Sequence, residues 1–154
     1  MKHLFFVRHG NYDYDNKGFH LSLKGKTEME TLSKLIKEIA CPKFYIISSP
    51  EIVAIESAKV LAEKLGLDSI EESFELWPQK ATCHGDPEIV NDLLNSKKDK
   101  GDSLILISHL ELSDKYPTYF LRNELKINDY IPPIIKGKAV HFNLETKLYQ
   151  ILPK

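Results

Sequence analysis

Arginine is the scarce residue in this chain. Of 21 Lys+Arg, only Arg8 and Arg122 are arginines; the rest are lysines spread over segments that read as solvated faces. Cysteine is almost as rare: Cys41 and Cys83 stand alone, in no CxxC pair. With no secretory leader in view, that argues against a disulfide framework. Long hydrophobic runs are missing too, which excludes a helix that crosses a membrane. The N-terminus carries a lysine but no extended apolar segment of a signal peptide. Charge of one sign is not in excess, because the formal net charge is −1, and this speaks against a basic nucleic-acid binder. With 42% hydrophobic residues the composition is that of a globular protein rather than a disordered tail. These features predict a cytoplasmic protein with neither nucleic-acid nor membrane partners. The 154 residues suit a single domain over 1–154 with a sizeable core.

The most informative stretch is Leu4-Phe5-Phe6-Val7-Arg8-His9-Gly10. A short, unbroken apolar run suits a strand buried on both faces. The carboxyl ends of such strands are where open α/β sheets place their ligands. Arg8 brings a donor fork matched to phosphate or carboxylate, and His9 is a nucleophile, base or ligand near neutral pH. A second strong strand, Leu104-Ile105-Leu106-Ile107, also delivers a histidine at its end, as Ser108-His109. If the two strands are neighbours, the histidines converge. Two histidines without a third ligand at a telling spacing do not make a metal centre.

The remaining elements follow in order. After Gly10 the residues Asn11–Gly18 read as a polar loop. Ser22 is the N-cap of a helix whose apolar stripe is Met29, Leu32, Ile36 and Ile39, ended by Pro42. Phe44–Ile47 is a strand, and Ser49 as N-cap with Pro50 at the first turn predicts the next helix, which stops at Gly66. Residues 70–76 read as a short strand and 77–85 as an irregular loop. Asp86-Pro87 opens a third helix with Ile89, Val90, Leu93 and Leu94 inward. A fourth is expected over 112–125, with Pro117 obscuring its start. Segments 139–144 and 147–152 alternate about a Glu145-Thr146 turn, as a closing hairpin does. Strands alternating with helices predict an α/β fold: a three-layer α/β/α arrangement with a mostly parallel central sheet flanked by helices and a C-terminal antiparallel hairpin.

Four motifs in order, Arg8-His9-Gly10, Leu21-Ser22-x-x-Gly25, Ser48-Ser49-Pro50 and Ser108-His109, resemble those of the histidine phosphatase (phosphoglycerate mutase-like) superfamily. The short length, Glu75-Leu-x-Pro78, Cys83-x-Gly85-Asp86 and Ile107-Ser-His-Leu110 bring the chain nearest to the small SixA-type phosphohistidine phosphatases. The resemblance implies a hydrolase without a cofactor. His9 would be the nucleophile, forming a phosphohistidine intermediate that water hydrolyses, with Arg8 and His109 holding the phosphoryl oxygens. The substrate would be a phosphorylated protein, phosphohistidine above all, or a small phosphorylated metabolite. Asn11, Asn16, Lys80 and His84 are candidate substrate contacts in the two loops at that end. Glu75 is the candidate general acid, ahead of Asp86 and Glu111.

One position departs from the pattern. The family usually carries an arginine three residues after the proline of Ser-Ser-Pro, and here that residue is Val53. Loss of one phosphoryl-binding donor costs on the order of 10²–10³ in rate. Lys80 and Arg122 are the cations considered as replacements. The alternative is a weak or inactive member that binds a phosphorylated partner without turnover.

Overall fold

In the computed structural model, which describes residues 1–40, 42–78 and 85–154, the first strand is the axis of the sheet. β1 (His3–Arg8) pairs in parallel with the strand Ser103–Ser108, and on its other side antiparallel with Ala139–Asn143. Counted along the chain, the strands are β1, β2 (Tyr12–Asp15), β3 (Gly18–Leu21), β4 (Phe44–Ser48), β5 (Glu71–Glu72), β6 (Ser103–Ser108), β7 (Ala139–Asn143) and β8 (Leu148–Leu152). The main sheet has the order β5-β4-β6-β1-β7-β8. β5, β4, β6 and β1 are parallel neighbours, and β7 runs against both β1 and β8.

Period-two alternation on the doubly buried strands sorts the core into two layers. Leu4 and Phe6 of β1, with Leu104 and Leu106 of β6, face Val90 and Leu94 of α3 (Pro87–Lys97) and Leu112, Tyr116 and Phe120 of α4 (Leu110–Asn123). Phe5 and Val7, with Ile105 and Ile107, face Met29, Leu32 and Ile36 of α1 (Leu23–Ile39) and Ala54, Ala58 and Leu61 of α2 (Ile52–Leu65). Leu4, Phe5, Phe6 and Val7 of β1 are fully buried, at 0% exposure. Four such side chains contribute roughly 1.5–3 kcal/mol each on burial, which makes this strand a fixed platform for the residues that follow it.

Several sequence expectations change. Residues 11–18 are not simply a loop: β2 and β3 form a two-stranded hairpin outside the main sheet. Its alternating Tyr12-Asp13-Tyr14-Asp15 strand is exposed throughout, so it carries no buried face that would announce it. The strand expected over 70–76 shrinks to Glu71–Glu72, followed by a 3₁₀ turn at Phe74–Leu76. α2 begins at Ile52, not at Pro50, because Glu51 is its N-cap and accepts from the Val53 amide. α4 starts at Leu110 and runs through Pro117; the missing N–H is tolerated where Tyr116, Pro117, Phe120 and Leu121 are all buried against the sheet. The caps at Ser22 and Asp86 and the stop at Gly66 fall where expected. Among the described residues no helix is long and apolar enough to cross a membrane.

Candidate active site

The sheet order β4-β6-β1 sets three carboxyl ends side by side, and each delivers part of one cleft. His9 follows β1, Ser49 follows β4 and His109 follows β6. Backbone bonds hold them in step: the His9 amide donates to the Ser108 carbonyl (3.1 Å) and the Ser49 amide to the Ile107 carbonyl (2.9 Å). The two histidine rings meet edge to face with centroids 5.2 Å apart. His9 Nδ1 donates to the Gly10 carbonyl at 2.9 Å, which leaves Nε2 as the ring nitrogen with its lone pair available. His109 Nε2 pairs with Ser49 Oγ at 2.8 Å. Ser49 therefore orients a histidine, whereas a helix cap was expected of it.

The turn after His9 is tightly packed. The Gly10 amide donates to Ser57 Oγ, and that hydroxyl donates to the Val53 carbonyl, so α2 is tied to the strand end. A Cβ on Gly10 would come within 2.9 Å of the Gly25 backbone. Arg8 is clamped from the other side, where its Nη1 donates to the Ile134 carbonyl at 3.1 Å. Its Nε is buried and has no hydrogen-bond partner among the described residues.

Arg8, His9 and His109 line a cleft of about 310 Å³, a size suited to a phosphoryl group and part of its carrier. Both histidines are pushed toward the neutral form. Burial lowers the pKa of His9, and the charges of Arg8 and Lys136 push the same way against the Gly10 hydrogen bond. Burial, then His9 and Arg8, bring His109 down to about 3. Glu51 also lines the cleft, and burial raises its carboxyl pKa against the amide bonds of its cap.

Arg8, His9 and His109 are brought together as the sequence predicted. Val53 lines the cleft from α2 at 2% exposure, an apolar wall where the family pattern has a cation. Asn11 lies beside the cleft but its amide is taken: both its backbone N–H and its side-chain amide donate to Glu28. Asn16 is exposed at the tip of the β2–β3 hairpin. Glu75 does not line the cleft and is hydrogen-bonded to Ser73 Oγ. Arg122 is exposed and turns toward the Asp129 carbonyl. Lys80 and His84 lie outside the described residues. Sequence reasoning missed Lys136 as a cleft residue, and it ranked Glu111 behind Glu75 although Glu111 lines the cleft. Lys136 sits in a loop with no motif around it, so only three-dimensional placement finds it.

No protein-family profile and no curated protein matches this sequence. Solved structures do. The architecture is that of the phosphoglycerate mutase-like α/β proteins. The protein histidine phosphatase SixA complexed with tungstate superposes with a TM-score of 0.75 at 20% identity, over 97% of this chain and 93% of that one. A mycobacterial glucosyl-3-phosphoglycerate phosphatase complexed with VO3 gives 0.65 at 17% identity, over 98% and 97%. A mycobacterial hydrolase gives 0.65 at 14%, over 98% and 96%. At these identities the likeness establishes the fold.

Proposed function

We propose that this chain is a phosphatase of the histidine phosphatase superfamily that works through a phosphohistidine on His9. The observation that carries the reading is the His9 ring. Its Nδ1 proton is spent on the Gly10 carbonyl, Nε2 is free, and Arg8 and a neutral His109 flank it in one cleft. The Nε2 lone pair attacks phosphorus, and the bond from phosphorus to the leaving atom breaks. The transferred group spreads its charge over three oxygens, which Arg8 and a donating His109 ring receive. Glu111, at the exposed rim, is the carboxyl placed to give the leaving atom a proton. Water then attacks the phosphohistidine, returns a proton to Glu111 and releases phosphate.

Two kinds of substrate suit this cleft: a phosphohistidine side chain on a partner protein, and a small phosphoester. An imidazole leaving group asks little of a general acid, and the neighbouring SixA structure is of a protein histidine phosphatase. Both points favour the first. The buried Val53 is the observation behind a second reading, a binder of phosphorylated partners that does not turn over.

The test is phosphate release from p-nitrophenyl phosphate and from a phosphohistidine protein, wild type against His9→Ala, together with trapping of acid-labile label on the protein. Turnover and label that vanish in His9→Ala support the phosphatase. A wild type that neither turns over nor becomes labelled refutes it and leaves the binder.

A further inference from the structure

The cleft contains a second cation that no motif announces. Lys136 lies in the 131–138 strap that leads into β7, and it lines the same cleft as Arg8, His9 and Val53. The strap is fastened to the residues it serves. The Gly137 amide donates to both the Arg8 carbonyl (3.2 Å) and the His9 carbonyl (3.0 Å). The Arg8 amide donates to the Lys138 carbonyl, and Arg8 Nη1 to the Ile134 carbonyl. Lys136 is thus flanked by Gly137 and Lys138, bonded to the Arg8-His9 backbone, and by Ile134, bonded to the Arg8 side chain, which fixes where its Cα stands.

Gly137 makes this approach possible. Its φ is +77°, and a Cβ there would lie 2.7 Å from the Glu28 carboxylate. That same carboxylate holds Asn11, two residues beyond His9. The strap, α1 and the turn after His9 therefore form one braced unit, and Lys136 projects from it over the Tyr12 ring, its Nζ 4.0 Å from the centroid. A cation resting on an exposed aromatic face is weakly held and is free to exchange that contact for phosphoryl oxygens. Its flexible stem and compact ammonium act as a point charge rather than a fork.

Building on the phosphatase reading above, we propose that Lys136 supplies the second phosphoryl-binding cation, delivered from the strap before β7 in place of the arginine that α2 lacks at Val53. It touches the phosphoryl oxygens of the substrate together with Arg8.

The experiment compares wild type, Lys136→Gln, Lys136→Arg, Val53→Arg and the double variant Lys136→Gln/Val53→Arg. Tungstate binding by calorimetry needs no turnover, and kcat/KM for p-nitrophenyl phosphate is followed across pH. Lys136→Gln is expected to weaken tungstate binding and to lower kcat/KM by about 10²-fold, the scale of one lost oxyanion donor. Lys136→Arg restores both, and the arginine of the double variant recovers a substantial part of the loss. The acidic limb of the kcat/KM profile moves to higher pH in Lys136→Gln, because one of the charges that disfavours a protonated His9 is gone; a merely structural lysine would not move it. Unchanged tungstate affinity and kcat/KM in Lys136→Gln overturn the proposal, as does a wild type that does not bind tungstate. If wild type binds tungstate through Lys136 but shows no His9-dependent turnover, the cation assignment stands and the phosphatase reading falls.

Discussion

Replacing Gly25 by alanine sets two opposed effects against each other. Gly25 is in the first turn of α1, where alanine is ordinarily the better residue by up to about 1 kcal/mol. Here the added Cβ would stand 2.1 Å from the Asn11 carbonyl oxygen and 2.9 Å from the Asn11 nitrogen, both backbone atoms. That is more than an ångström inside ordinary contact, so the helix start and the turn after His9 must separate. The Asn11 carbonyl also accepts from the Ser22 amide and the Ser22 hydroxyl, and the same hydroxyl caps the helix at the Gly25 amide. Overpacking costs about 1–3 kcal/mol, and a weakened cap adds about 1 kcal/mol. Against a propensity gain of at most about 1 kcal/mol, the net is a destabilisation of about 1–3 kcal/mol. For a chain of this size, each kcal/mol lowers Tm by roughly 2–4 °C. Activity should suffer more than stability, because a shift of about 1 Å in a positioned group costs on the order of 10²-fold, and Asn11 is two residues from His9. Urea unfolding gives the first quantity and kcat/KM for p-nitrophenyl phosphate the second. A Gly25→Ala protein that is more stable than wild type and equally active would refute the close-packing argument.

Two further perturbations test other parts of the molecule. His3 Nδ1 and His141 Nε2 face each other at 2.9 Å in the sheet, both rings buried, with Lys2, Asp102 and Glu145 as the surrounding charges. Burial, then His3, lower the His141 pKa to about 4, so between there and the ordinary value of 6.5 the unfolded chain binds a proton that folded His141 does not. Its contribution to stability is present above pH 6.5 and is lost as pH falls toward about 4; the urea midpoint should drop over that window, and more steeply than in His141→Gln. Glu111→Gln should lower kcat by about 10²-fold for an alkyl phosphate, within the usual reach of a general acid, and far less for p-nitrophenyl phosphate, whose leaving group needs no proton. Equal losses on both substrates would remove Glu111 from that role.

The parts of the site that stood out in the sequence are those that coincide with a change of local pattern. Leu4–Val7 and Leu104–Ile107 are unbroken apolar runs that end abruptly in polar residues, and the physics that buries both faces of a strand also fixes Arg8, His9 and His109 at its end. The β2–β3 hairpin was illegible because its strands bury little, so alternation there reports no core. Ser49 was misread for a different reason. Ser-Pro before an apolar run satisfies every local rule for a helix start, and only the position of β6 shows that His109 competes for the serine hydroxyl. Lys136 could not be read at all: a lysine between Ile135 and Gly137 resembles any other solvated lysine until the strap is seen bonded to Arg8 and His9.

The location of the cations bears on what the cleft can accept. α2 follows β4, on one side of β1 in the sheet order, whereas the strap precedes β7, on the other. Val53 and Glu51 thus reach the cleft from the α2 side, Arg8 and Lys136 from β1 and the strap, and Glu111 from α4. A phosphoryl group seated on Arg8 and Lys136, as proposed, shares its cleft with the carboxyls of Glu51 and Glu111. When ionised, these carboxyls repel a leaving group that carries further phosphates or carboxylates and tolerate one that is neutral or cationic. An imidazole or an amine meets that condition; an acidic metabolite does not. Under the proposed phosphatase reading, Val53 in place of a cation, with Glu51 beside it, is expected to favour phosphorylated nitrogen over an acidic phosphoester, and faster turnover of the acidic phosphoester would refute this charge argument.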